Sequence, residues 1–142
     1  MVGLVFKSLI ALSLAIVALA APAPVEERAF GDRVYCEYVV TPSTPIGSNP
    51  DKNVYNAEMN FVLGGQIKRE SPSHDVESDF SLWYSNSGAS WYVLGGASTS
   101  ALNSAQLKAL IEAWPGKTFP GNVVSSWKIE ETRGCQPGTG AN

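Results

Sequence analysis

Asn53-Val54-Tyr55-Asn56-Ala57-Glu58-Met59-Asn60-Phe61-Val62-Leu63 fits two conformations, and the choice between them decides the fold. Tyr55, Ala57, Met59, Phe61 and Leu63 alternate with Asn56, Glu58, Asn60 and Val62, the period of two that a half-buried strand requires. Helix-start signals are present too, since Asn49 can cap and Pro50 can take the first helical position. Asn, Val, Tyr and Phe are mediocre helix formers, and Gly64-Gly65 would end a helix. A strand is therefore the expectation. It makes the chain an α+β protein, an antiparallel sheet of four to five strands with one helix packed on one face. The helix reading gives the order βαββαβ, a ferredoxin-like split unit.

The flanking segments read more plainly. Arg33 to Thr41 alternates as a strand, with Val34, Cys36, Tyr38 and Val40 on one face and Tyr35, Glu37 and Val39 on the other. Pro42 to Pro50 is a connection broken by Pro45, Gly47 and Asn49-Pro50. Asp79 to Ser85 and Ser90 to Gly95 predict a hairpin joined through Asn86-Ser87-Gly88, in a register that sets Trp83 opposite Trp91 and Leu82 opposite Tyr92. Asn103 or Ser104 caps a helix to about Trp114, with Leu107, Leu110, Ile111 and Trp114 at helical spacing and Pro115-Gly116 as its stop. Val123 to Thr132 is the last strand. One echo links distant segments: Phe61-Val62-Leu63-Gly64-Gly65 resembles Tyr92-Val93-Leu94-Gly95-Gly96. Both read as strands ending in glycines where the chain bends or bulges.

The two ends of the chain bear on its destination. Lys7, the apolar run Leu9 to Ala20 interrupted by Ser13, and Ala18-Leu19-Ala20 make residues 1–20 a secretory signal peptide. Ala21-Pro22-Ala23-Pro24-Val25-Glu26-Glu27-Arg28 resembles the short pro-segments that follow the signals of many fungal secreted proteins, where a processing protease cuts after a basic residue. A single basic residue stands here where such proteases usually take two, and a disordered linker is the other reading of residues 21–28. The remaining residues, 29–142, suit one domain. The polar tail from Gly134 to Asn142 has no hydrophobic segment for a lipid anchor. A soluble, extracellular product without a membrane anchor is the expectation. In an oxidising compartment Cys36 and Cys135 form a disulfide, which makes the first and last strands neighbours.

Composition narrows the chemistry. Ten Lys and Arg against thirteen Asp and Glu give a net charge of −3, and without a basic cluster nucleic acid is not an expected partner. One histidine, no Cys-x-x-Cys, no Gly-x-Ser-x-Gly and no His-Glu-x-x-His remove the commonest redox, hydrolase and metal signatures, so no cofactor or metal is expected. His74, in the acidic stretch Ser71 to Asp79, is a general acid/base candidate. Glu58, Glu130, Glu131 and Arg133 could join it in a ribonuclease-like site if folding gathered them.

The aromatic residues point elsewhere. Both faces of the hairpin carry large rings, and one helix covers one face only. Trp83, Trp91 and Tyr92 are therefore either an exposed contact surface for carbohydrate or a protein, or are buried by a curved sheet or a loop. The expected function is a secreted, non-catalytic binding or interaction protein, cell-wall-associated or effector-like. A small hydrolase such as a ribonuclease is the alternative. A protease inhibitor presenting the Pro42–Pro50 loop is the third.

Overall fold

The computed structural model describes residues 33–72, 75–85 and 89–138. The signal, the pro-segment, Arg28, His74 and the Asn86-Ser87-Gly88 turn lie outside them. Residues 52–70 are helical, which corrects the strand expected over Asn53–Leu63. Helix α1 (Lys52–Met59) runs into a π-helical turn (Asn60–Gly64) and then into α2 (Gly65–Glu70). Asp51, rather than Asn49, is the cap, accepting from the backbone of Asn53 at 2.9 Å. Continued to Ile67, the apolar residues fall into a helical stripe: Met59, Val62, Leu63 and Ile67 are fully buried, whereas Phe61, central to the alternating pattern, is 49% exposed.

The helix runs on through both glycines, and Gly64 lets it approach a strand. A Cβ at Gly64 would lie 2.6 Å from the Ser78 hydroxyl. That hydroxyl belongs to β2 (Val76–Ser85), the strand against which the helix packs. Asn60 gives its amide to the outer edge of that strand, donating to the Phe80 carbonyl and accepting from the Phe80 N–H, both at 3.0 Å. One turn earlier, Asn56 accepts from the Leu82 N–H at 2.8 Å. These contacts close an edge that would otherwise offer unpaired backbone groups.

β1 (Val34–Pro42) is central, flanked by β3 (Trp91–Thr99) and β5 (Ser126–Pro137), with β2 outside β3 and the short β4 (Thr118–Pro120) outside β5. All pairings are antiparallel. The fold is α+β, and its strand order 2-3-1-5 is that of the split βαβ unit weighed from the sequence, with β4 added at the edge. The helix α3 (Ser104–Glu112) is capped by Asn103, one of the two caps the sequence offered, through a capping box with Gln106.

One core joins the helices to a single sheet face: Val34, Tyr38 and Val40 of β1, Phe80 and Leu82 of β2, Trp91, Val93 and Ala97 of β3, and Trp127 and Ile129 of β5. The Cys36–Cys135 disulfide lies in that layer with 4.2 Å between Cα atoms, and the first and last strands are neighbours. Two bulges in β5 set its facing. At the second, Gly134 takes a φ of +57°, which turns Cys135 toward Cys36. The chain-entropy contribution of closing this 99-residue separation is about 4.7 kcal/mol.

Candidate binding face

The helices cover one side of the sheet; on the other side Val39 and Ser98 are buried, whereas Tyr35 and Trp83 stay exposed and no described helix packs there. Strand alternation brings Tyr35, Glu37 and Val39 of β1, Tyr92 and Leu94 of β3, Glu131 and Arg133 of β5, and Asp79, Ser81 and Trp83 of β2 to that second side. Of the three residues the sequence singled out, Trp83 is 53% exposed and Tyr92 is half-buried on this face. Trp91 faces the helices and is 4% exposed, so it cannot share a surface with Trp83. The expected register fails for a definite reason. Leu82 pairs with Val93 and Ser85 with Trp91, leaving Trp83 and Tyr84 opposite Tyr92 alone, a bulge that no residue type in the hairpin announces.

The groups on this face are held in place. The Tyr35 ring fits between two glycines on either side of β1. A Cβ at Gly96 would lie 2.7 Å from one edge of the ring, and one at Gly138 would collide with the other edge. The ring is nevertheless 40% exposed. Arg133 donates to Glu131 at 2.6 Å, lies 3.5 Å from a Glu37 oxygen, and sits over the Tyr92 ring at 5.6 Å from its centroid. The hydrogen bond from Arg133 holds the Glu131 carboxyl below the usual carboxylate range. The same bond, and then Tyr92, raise the pKa of Arg133. Farther along the face, Asp79 accepts from the Gly96 N–H at 2.9 Å and lies 3.5 Å from Arg33. Between Tyr35 and Arg133 is a shallow depression of about 320 Å³, lined by Glu37 and Leu94 and floored by Cys36 and Gly95.

The residues weighed for hydrolysis do not converge. Glu131 and Arg133 meet on the uncovered face, but Glu58 is 2% exposed on the far side of the sheet. Its carboxylate accepts from the backbone N–H groups of Asn122, Val123 and Val124 and from the Trp127 indole, at 2.9–3.1 Å. It ties α1 to the turn before β5 and leaves no lone pair aimed at a substrate. No three His, Cys, Asp or Glu side chains among the described residues gather as metal ligands. No described helix is long and apolar enough to cross a membrane. The Pro42–Pro50 connection is tied down on its own account, with Ile46 packed against the core and Ser43 bonded to Ser125 and Ser126.

Tyr35, Glu37 and Leu94 did not stand out in the sequence as contact residues, although the alternation of β1 already placed the first two away from Cys36. Arg133 did stand out, but for hydrolysis. What was missing was the pairing that sets Arg133 beside Glu37 and over Tyr92. Compared with known proteins, the chain matches no family model, no curated protein and no solved structure.

Proposed function

We propose that this chain is a secreted, non-catalytic binding protein whose contact surface is the uncovered face of the sheet. The supporting observation is that Tyr35 and Trp83 remain exposed on that face while Tyr35, Tyr92 and Arg133 are fixed by neighbours. Side chains already held in their bound positions lose little conformational freedom on contact, and rigid aromatics beside an arginine are frequent anchors of interfaces. Residues 1–20 supply the route out of the cell and the Cys36–Cys135 disulfide accords with it. The surface assigned here keeps Trp83 and Tyr92, drops Trp91 and adds Tyr35 and Arg133.

The test compares faces. Purified protein is screened against immobilised polysaccharides and extracellular proteins, alongside Trp83→Ala, Tyr35→Ala and Arg133→Ala. Phe61→Ala, an exposed aromatic on the helical side, is the matched control. Truncating a contact aromatic should weaken binding about 30-fold, the equivalent of ~2 kcal/mol, and Phe61→Ala should leave it unchanged. Turnover of RNA or glycan by the wild-type protein would overturn the non-catalytic reading. Binding lost in Phe61→Ala and kept in the other three would overturn the choice of face.

A further inference from the structure

Resting on that reading of the uncovered face, we infer that its ligand is an uncharged, extended oligosaccharide lying along the strands from Tyr35 toward Tyr92 and Trp83. Charge decides against the polyanions. Arg133 is flanked by the carboxylates of Glu131 and Glu37, and Arg33 faces Asp79. These pairs set three carboxylates against two guanidiniums, so a phosphate or uronate chain would meet more repulsion than attraction.

The surface is also unlike the core of a protein interface, where charged residues are depleted. Here rings and charged pairs interleave: Tyr35, then Glu37 beside Arg133, then Tyr92 over which Arg133 lies. That alternation fits a sugar chain. Each pyranose has an apolar C–H face that packs on an aromatic ring and a rim of hydroxyls that both donate and accept. Carboxylate and guanidinium fixed side by side answer both halves of a hydroxyl, as acceptor and donor.

The length of the ligand follows from the register. Tyr35 pairs with Gly96, and Tyr92 pairs with Val39, four residues farther along β1. The two rings are therefore about 13 Å apart along the strand direction, more than one pyranose can span. The depression between Tyr35 and Arg133, about 320 Å³, lies between the two rings. The glycine slot around Tyr35 has no evident role in the core, since the ring is on the side away from the helices. It fixes the ring at one end of this track.

Tryptophan fluorescence gives a readout confined to this face. Trp83 is 53% exposed, and Trp91, Trp114 and Trp127 are at most 4% exposed, so iodide quenching reports Trp83. The probes are chitohexaose and laminarihexaose as neutral chains, hexagalacturonate as an anionic chain of equal length, and N-acetylglucosamine as a single ring. At least one neutral hexamer should shield Trp83, with the single ring weaker by at least about tenfold and hexagalacturonate without effect. Tyr35→Ala should weaken the hexamer about 30-fold, and Tyr35→Phe should retain it, because the ring face rather than the hydroxyl makes the contact. Gly96→Ala, which drives a methyl into the ring, should mimic Tyr35→Ala while the circular dichroism spectrum stays native. If hexagalacturonate or a hexaribonucleotide shields Trp83 and no neutral chain does, the glycan inference falls and the contact face stands. If no probe shields Trp83, the glycan inference falls. If a probe, measured by titration calorimetry because Trp83→Ala removes the reporter, binds equally well to wild type, Tyr35→Ala and Trp83→Ala, the contact face falls with it.

Discussion

Phe61-Val62-Leu63-Gly64-Gly65 and Tyr92-Val93-Leu94-Gly95-Gly96 are nearly the same pentapeptide, one wound through the π-helical turn and the other extended in β3. Both lie against β2, from opposite sides. In the helical copy Val62 and Leu63 are adjacent on one buried face. In the strand copy Val93 is buried among the helices while Leu94 points to the uncovered side. Three of the four glycines, Gly64, Gly95 and Gly96, play related parts, letting a neighbour come closer than a side chain would allow. What they admit differs: a serine hydroxyl at Gly64, the Asp79–Phe80 backbone at Gly95, the Tyr35 ring at Gly96. Intrinsic preference cannot separate the two copies. Their surroundings can, because Asp51, Asn56, Glu58 and Asn60 fasten the first to a cap, a strand edge and a distant turn, and β1 and β2 hydrogen-bond the second on both sides.

The comparison can be broken most forcefully upstream of the helical copy. Glu58→Ala strips the partners from three backbone N–H groups and the Trp127 indole. It should cost more than about 3 kcal/mol in urea unfolding, since buried donors left unmatched cost ~1–3 kcal/mol each. Unchanged stability would show that the turn before β5 does not depend on the helix. Next in size is Gly95→Ala, which places a methyl against the Asp79 carbonyl oxygen and 2.7 Å from the Phe80 Cα. Backbone cannot step aside cheaply, so about 3 kcal/mol should be lost, visible as a lowered Tm.

The equivalent change in the helical copy should be far milder. Gly64→Ala displaces only the Ser78 hydroxyl and its bond to Asn60, and the better helix propensity of alanine offsets part of that. A net loss under about 1 kcal/mol is expected. In a Ser78→Ala background the sign should reverse, and a failure to reverse would rule out the hydroxyl as the obstacle. The smallest effect should be a gain. Gly65→Ala meets only an Arg69 nitrogen at 3.5 Å, so about 0.5–1 kcal/mol of added stability is expected. A loss there would mean the π turn needs the flexibility of glycine.

Legibility in the sequence followed the same divide. β1 was readable because its alternation has one interpretation, with four apolar residues on one face and Glu37 on the other. The capped helix from Asn103 was readable because Leu107, Ile111 and Trp114 keep a helical period that no strand reproduces. Residues 53–63 satisfied both periods within their own window, and the deciding residue, Ile67, lay beyond two glycines that look like a stop. The candidate face was half legible. Trp83 and Tyr92 were named, but Trp91 was placed with them because a bulge shifts the hairpin between Leu82 and Ser85. Glu58 was weighed as a carboxylate for hydrolysis because the partners that bury it lie 64–69 residues away.

By itself, the sequence determined the α+β class, the strands at either end and the disulfide that makes them neighbours, and a helix capped at Asn103 or Ser104. Those features depend on residue type and short-range period, which act alike in any surroundings. Only the tertiary structure decided that residues 52–70 wind into a helix, that Trp91 is buried while Trp83 is exposed, and that Arg133 joins Glu37 and Tyr92 on an uncovered face. Each of these depends on which strand edge or side chain a residue meets across the fold. The free energy of that contact, a few kcal/mol, is enough to choose between two conformations that the local chain holds nearly equal.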